Sequence, residues 1–164
     1  MKYSYRYGDN FSASTELQNM VNEWYKSGTE CIFSCGGEMC DSVFEAALAN
    51  NGKSIGVDVD QSSVSDTVIT SAMKGLSSGV QKILTSFYAG KWVLVGGLSS
   101  NLGVDDNAVG LPFVTSKFEK FTEGEYVKLV NSMKSGGTLE VKNDFSAFLA
   151  GGETFENVAV SFVK

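Results

Sequence analysis

The side chains of this sequence that could do chemistry are few and lie close together. Cys31, Cys35 and Cys40 fall within ten residues, Asp58 and Asp60 are two apart, Lys74 follows, and Phe11 is the single aromatic of an N-terminal loop, Gly8 to Ser12. Histidine is absent, which removes the Ser/His and Cys/His nucleophile pairs in their common forms. General acid/base work would then fall to carboxylates such as Asp58 and Asp60. These two are not expected to form one catalytic pair: one faces a crevice and the other faces solvent or a helix end. The cysteines lack C-x-x-C spacing, and Cys31 and Cys35 sit on an apolar run, so all three read as small core residues and no metal is expected. Their odd number also speaks against a disulfide framework.

A phosphate cradle is the next chemistry to consider, because Gly36-Gly37 feeds a helix start. It lacks the third glycine of G-x-G-x-x-G and the Gly-Lys-Ser/Thr of a P-loop, and Glu38 and Asp41 already occupy the positive helix end. Neutral ligands rich in hydroxyls fit better. An aromatic face at Phe11, close backbone approach at Gly37 and a carboxylate at Asp58 together suit a nucleoside or a sugar.

The elements that must position these groups follow from hydrophobic periodicity. Glu30 to Cys35 reads as a strand, Cys40, Val43, Phe44, Ala47 and Leu48 mark a helix that Asn51-Gly52 stops, and Lys53 to Val57 is a second strand ending in Asp58. Two parallel strands joined by a crossover helix bring Gly36-Gly37 and Asp58 to the carboxyl edge, where open α/β sheets bind ligands. Before this unit, Lys2 to Tyr7 reads as a strand, and Leu17, Met20, Val21 and Trp24 as one face of a helix ended by Gly28. Phe11, between those two elements, suits a hydrophobic staple on the helix as well as a ligand contact.

After Asp58 a polar connection leads to a short strand, Val68 to Thr70. A long amphipathic helix carrying Met73, Leu76, Val80, Ile83, Leu84 and Phe87 follows, closed by Gly90. Lys74 falls in its first turn, where a cation is disfavoured by the helix dipole, and on position alone it reads as a solvated lysine. Lys91 to Val95 is predicted as a strand, and Gly96 to Pro112 as a loop. Thr122 and Glu125 form a capping box for a helix containing Tyr126, Leu129, Val130 and Met133. A strand near Leu139 to Val141, a short helix from Asp144 to Leu149 and a final strand from Asn157 to Val163 complete the order. Alternation of β and α with short turns defines an α/β fold with a largely parallel sheet.

The chain of 164 residues, 43% hydrophobic and 20% charged, suits one domain. A net charge of -6 with no Lys/Arg stripe argues against a nucleic-acid partner. No apolar run approaches the roughly 20 residues of a membrane span, and MKYSYRYGDN lacks the apolar core of a signal peptide. The protein is therefore expected either to stay in the cytoplasm or to have lost its start.

Three segments, GTECIFSCGG, IGVDVDQ and VITSAMKG, resemble the basic membrane protein family, also called the Bmp/Med or purine nucleoside receptor family. The loop ending in NAVGLP resembles the family's GVGL segment, whereas the tail from Phe113 matches loosely. The resemblance implies an extracytoplasmic substrate-binding lipoprotein of an ABC transporter. Its fold would be of the type I periplasmic-binding-protein kind, and this chain would be a three-layer αβα lobe of it. It implies no enzyme activity and no cofactor, a nucleoside as ligand and a transporter permease as partner. Phe11 would stack on the base, with Gly37, Asp58 and Lys74 around the ribose. Asp60 belongs to the motif without a ligand role.

Family members are two-lobed and about twice this length. The resemblance thus implies that residues 1–164 are one α/β unit, the C-terminal part of a protein whose N-terminal lobe, lipoprotein signal and membrane anchor precede it. It leaves open whether residues 66–91 belong to the first lobe. Without its partners that helix would show an apolar face, which rearrangement or a second copy of the chain (a homodimer) could cover. The alternatives are a sensor domain of the same fold for a sugar or other solute, as in Med-like and LacI-type regulators, and a small flavodoxin-like enzyme.

Overall fold

The computed structural model describes residues 2–8, 10–136 and 158–163. Its frame is a four-stranded sheet in the order β2-β3-β4-β5, formed by Cys31–Phe33, Lys53–Asp58, Val68–Lys74 and Val109–Gly110. β2, β3 and β4 run parallel and β5 is antiparallel to β4. β1 (Lys2–Tyr5) pairs in parallel with β6 (Ala159–Phe162) in a separate two-stranded sheet. The helices are α1 (Thr15–Lys26), α2 (Met39–Ala49), α3 (Leu76–Tyr88) and α4 (Glu123–Lys134). This is a mixed α/β fold with mostly parallel pairing and helices packed around it, as expected.

α1 starts where Ser14 ends the extended loop: its hydroxyl accepts from Leu17 N at 3.1 Å, supplying one of the bonds a helix start lacks. Ser14 is also tied to α2, since its N–H donates to Ser42 Oγ at 2.9 Å and its carbonyl accepts from that hydroxyl at 3.1 Å. The apolar stripe of α1 then falls on α2. Val21, Tyr25, Ile32, Val43, Ala46 and Ala47 form one buried cluster, with Leu17, Met20 and Trp24 packed at its rim. Cys40, Phe44 and Val68 form a second cluster that joins α2 to β4. Burial of each of the larger side chains contributes roughly 1.5–3 kcal/mol. Tyr25 keeps its hydroxyl satisfied by donating to the Lys53 carbonyl at 2.6 Å, and burial holds its pKa far above the ordinary tyrosine value.

α4 begins with the capping box expected of Thr122 and Glu125: Thr122 N donates to Glu125 Oε2 at 2.8 Å, and Glu125 N donates back to Thr122 Oγ1 at 3.3 Å. Several other expectations change. β4 does not stop at Thr70 but continues to Lys74, and α3 starts only at Leu76. Ser71 to Met73 continue the pairing with β3, and Met73 and Lys74 pair with β5, so the periodicity of Met73 with α3 was coincidental. The apolar run Lys91 to Val95 is no strand. It forms a 3-10 turn at Trp92–Leu94 with exposed side chains, because a short apolar run has no period that separates strand from turn.

The loop Gly96 to Pro112 contains a second 3-10 turn, Val104–Asp106, and β5. Of the three cysteines only Cys40 is buried; Cys31 is half-buried and Cys35 exposed. The core reading therefore holds for one of them, since Cys35 lies beyond the last residue of β2. The strand near Leu139 to Val141 and the helix from Asp144 to Leu149 lie outside the described residues.

Candidate functional site

β3 and β4 end side by side, and their ends carry the two charged groups. The register places Asp58 beside Met73, one residue before Lys74. Asp58 has a left-handed backbone, φ 68°, and Val59 N donates to the Val57 carbonyl at 2.8 Å. That pair of features is a γ-turn of the uncommon positive-φ kind. An aspartate there costs of order 1–3 kcal/mol of backbone strain, a burden that accumulates at functional sites. The turn brings Asp58 Oδ1 to 2.6 Å from Lys74 Nζ. This oxygen is closed to solvent, and the Lys74 ammonium is its ion-pair partner. Asp58 bonds and attracts the Lys74 ammonium, and Cys35 nearby adds to it, so the Lys74 pKa is raised. Both side chains remain substantially open to solvent.

Below this pair lies a hollow of about 250 Å³, lined by Asp58, Asp60, Met73, Lys74, Asn107 and Val109 among others. Its far wall is the return of the chain through β5. Gly75 N donates to the Ala108 carbonyl at 2.7 Å, and a side chain at Gly75 would run into the backbone of Asn107 and Ala108. Asn107, left-handed at φ 51°, accepts from Lys134 Nζ at 3.0 Å.

Asp60 lines the same hollow as Asp58, contrary to the expectation that they face apart. Residues two apart on a strand share a face, and here the strand ends at Asp58 in any case. Asp60 is nonetheless engaged: Oδ2 accepts from Thr115 Oγ1 at 2.7 Å and Oδ1 from Ser62 N at 3.0 Å. Those hydrogen bonds hold its pKa below the ordinary carboxylate value.

Phe11 and Gly37 form a second pair at the β2–α2 turn, outside the lining of the hollow. Phe11 is 73% exposed, so its ring is not a buried staple on α1. Its carbonyl accepts from Met39 N at 3.0 Å and thus satisfies an N–H at the start of α2. Gly37 has φ 46°, and a Cβ there would stand 3.3 Å from both Phe11 Cβ and Phe11 O. The close approach that Gly37 allows is therefore that of the Phe11 loop. β1, which leads into this loop, is not a neighbour of β2 in the sheet, so the loop reaches the carboxyl edge from another sheet.

The four expected site residues thus stand as two contacting pairs. Lys74 belongs to a strand end and not to a helix start, because β4 continues beyond Thr70. Asn107, Val109, Gly110 and Gly75 were not foreseen as lining. The Met73-Lys74-Gly75 sequence followed by a Gly/Asn-rich return offered the only signal for them.

Taken together, fold and strand-end hollow define a lobe of the periplasmic-binding-protein-like class. The chain belongs to the Bmp family, described as ABC transporter substrate-binding protein PnrA-like, whose family model matches residues 1–143. Among solved structures it is similar to the crystal structure of a transcriptional activator of the comK gene from Bacillus halodurans, with a TM-score of 0.57 at 20% identity, over 79% of this chain and 44% of that one. At that identity the likeness shows the fold, and this chain spans less than half the length of the structure it matches. No curated protein matches it at a significant level.

Proposed function

We propose that this chain forms one wall of the solute crevice of an extracytoplasmic ABC transporter substrate-binding lipoprotein, and that the solute is a purine nucleoside. The observation that carries the reading is the Asp58–Lys74 pair over an open hollow at the carboxyl ends of β3 and β4. A carboxylate accepts from two vicinal hydroxyls while the ammonium donates to one of them or to the ring oxygen. The exposed Phe11 ring at the neighbouring turn supplies a face on which a base stacks. No reaction is assigned: binding works by closure of two lobes on the solute.

In this reading a second lobe supplies the opposite wall, a permease receives the solute, and an acylated N-terminus holds the intact protein at the membrane. Family membership supports the transporter assignment, and the 44% coverage of the similar solved structure accords with a second lobe. Calorimetry of the two-lobed protein with adenosine, guanosine and inosine tests the ligand class. Binding of at least one is expected, and its loss in Asp58→Asn. No heat with any of the three, together with binding of a sugar or peptide, would sink the nucleoside assignment.

A further inference from the structure

The segment Gly56-Val57-Asp58-Val59-Asp60-Gln61 ends in a residue that does not line the hollow and for which the crevice offers no task. The Gln61 side chain folds back on the strand it follows. Its Oε1 accepts from Val57 N at 2.8 Å, and its Nε2 lies 3.3 Å from Cys40 Sγ. Its backbone N–H donates to Ser71 Oγ at 3.0 Å, and its carbonyl accepts from Val64 N at 3.0 Å. One residue thereby ties β3, β4 and α2 together, and two of its partners, Cys40 and Ser71, are buried.

Gly56 makes the room for this arrangement. A Cβ at that position would stand 2.6 Å from Gln61 Oε1 and 2.7 Å from Ser71 Oγ, closer than packed atoms come. Between Val57 and Gln61 sits Asp58 in its left-handed turn. An aspartate keeps such a backbone only where its surroundings over-determine it. Val57 is held at both of its polar groups, the N–H by Gln61 and the carbonyl by Val59, and this fixes the strand immediately before the turn.

We infer that Gln61 is a positioning residue: by holding Val57 N it keeps Asp58 in the left-handed turn that sets its carboxylate against Lys74 at the mouth of the crevice. The inference rests on reading that crevice as the ligand site, but its first consequence needs no ligand. In NMR spectra of the ligand-free chain, the HN–Hα coupling and the Cα and Cβ shifts of Asp58 report its backbone. Left-handed values are expected in the wild type and in Gln61→Glu, which retains an acceptor for Val57 N, and their loss is expected in Gln61→Ala. Gly56→Ala, which drives a methyl against Oε1 while leaving Gln61 in place, gives the same readout if Gln61→Ala fails to fold. A folded Gln61→Ala or Gly56→Ala chain with left-handed values at Asp58 overturns the inference.

Calorimetry of the two-lobed protein with adenosine, guanosine and inosine then separates the two ideas. Binding by Gln61→Ala about tenfold weaker than by Gln61→Glu is expected, and equal affinities would remove the link from Gln61 to the site. If the wild type binds none of the three, the nucleoside reading fails, while the Asp58 backbone values still decide the positioning role.

Discussion

The Asp58–Lys74 pair is held by local backbone geometry more than by burial, and this has a consequence for pH. Lys74 has a raised pKa because Asp58 bonds and attracts its ammonium. The stabilisation is fully present below the ordinary lysine value of 10.5 and is lost as pH rises through the raised value. Melting curves of the wild type and Asp58→Asn should therefore converge at the alkaline end. A gap that stays constant across that range would show that the pair does not couple to folding. Tyr25 titrates in the same direction, so the difference between the two proteins is the quantity to follow. Alanine in place of Gly37 combines a φ of 46° with a Cβ 3.3 Å from the Phe11 backbone, so Gly37→Ala should destabilise by about 1 kcal/mol or more and displace the Phe11 loop. An unchanged denaturation midpoint would contradict this.

At the scale of elements, the β2–α2–β3 unit was legible in the sequence because its apolar spacing, its Gly-Gly turn and its Asn-Gly stop all agree. Its core supports a direct test. Phe44 is almost fully buried between α2 and β4, and Phe44→Ala should cost about 3–5 kcal/mol; a loss below about 1 kcal/mol would show that the second cluster is not packed as described. The capping box of α4 was equally legible, since it depends on residues three apart. The extension of β4 to Lys74 was not, because it depends on pairing with β3 and β5, contacts that no local pattern carries. The same blindness misplaced Lys74 on a helix and hid Asn107 and Gly110, which reach the hollow only through the antiparallel return of β5. Phe11 and Asp58 could be placed at turns because turn residues at strand ends stand out, whereas the γ-turn at Asp58 and the bond from Val57 N to Gln61 depend on how the chain folds back. The pairing of β1 with β6 instead of the main sheet was likewise invisible from composition and period.

At the scale of the molecule, α3 and the turn after it show an apolar surface that is exposed among the described residues. Leu76, Val80, Leu84, Phe87 and Trp92 are each about half exposed or more, and no residue of α3 is buried. An apolar patch of this kind is expected to bind a dye such as ANS or to associate with concentration. Phe87→Ser with Leu84→Ser should reduce both, and a dye-silent wild-type chain that stays monomeric would show the face to be covered. If a second lobe supplies the opposite wall of the crevice, as proposed, the chain alone should bind solute weakly. NMR titration of the chain reads where the solute sits even when binding is weak. With adenosine, guanosine or inosine, saturable shifts at Asp58, Lys74, Gly37 and Phe11 are expected, while a peptide control leaves them unmoved. Saturable shifts confined to other residues, or a response to the peptide and to none of the nucleosides, would place the solute elsewhere and overturn the nucleoside crevice.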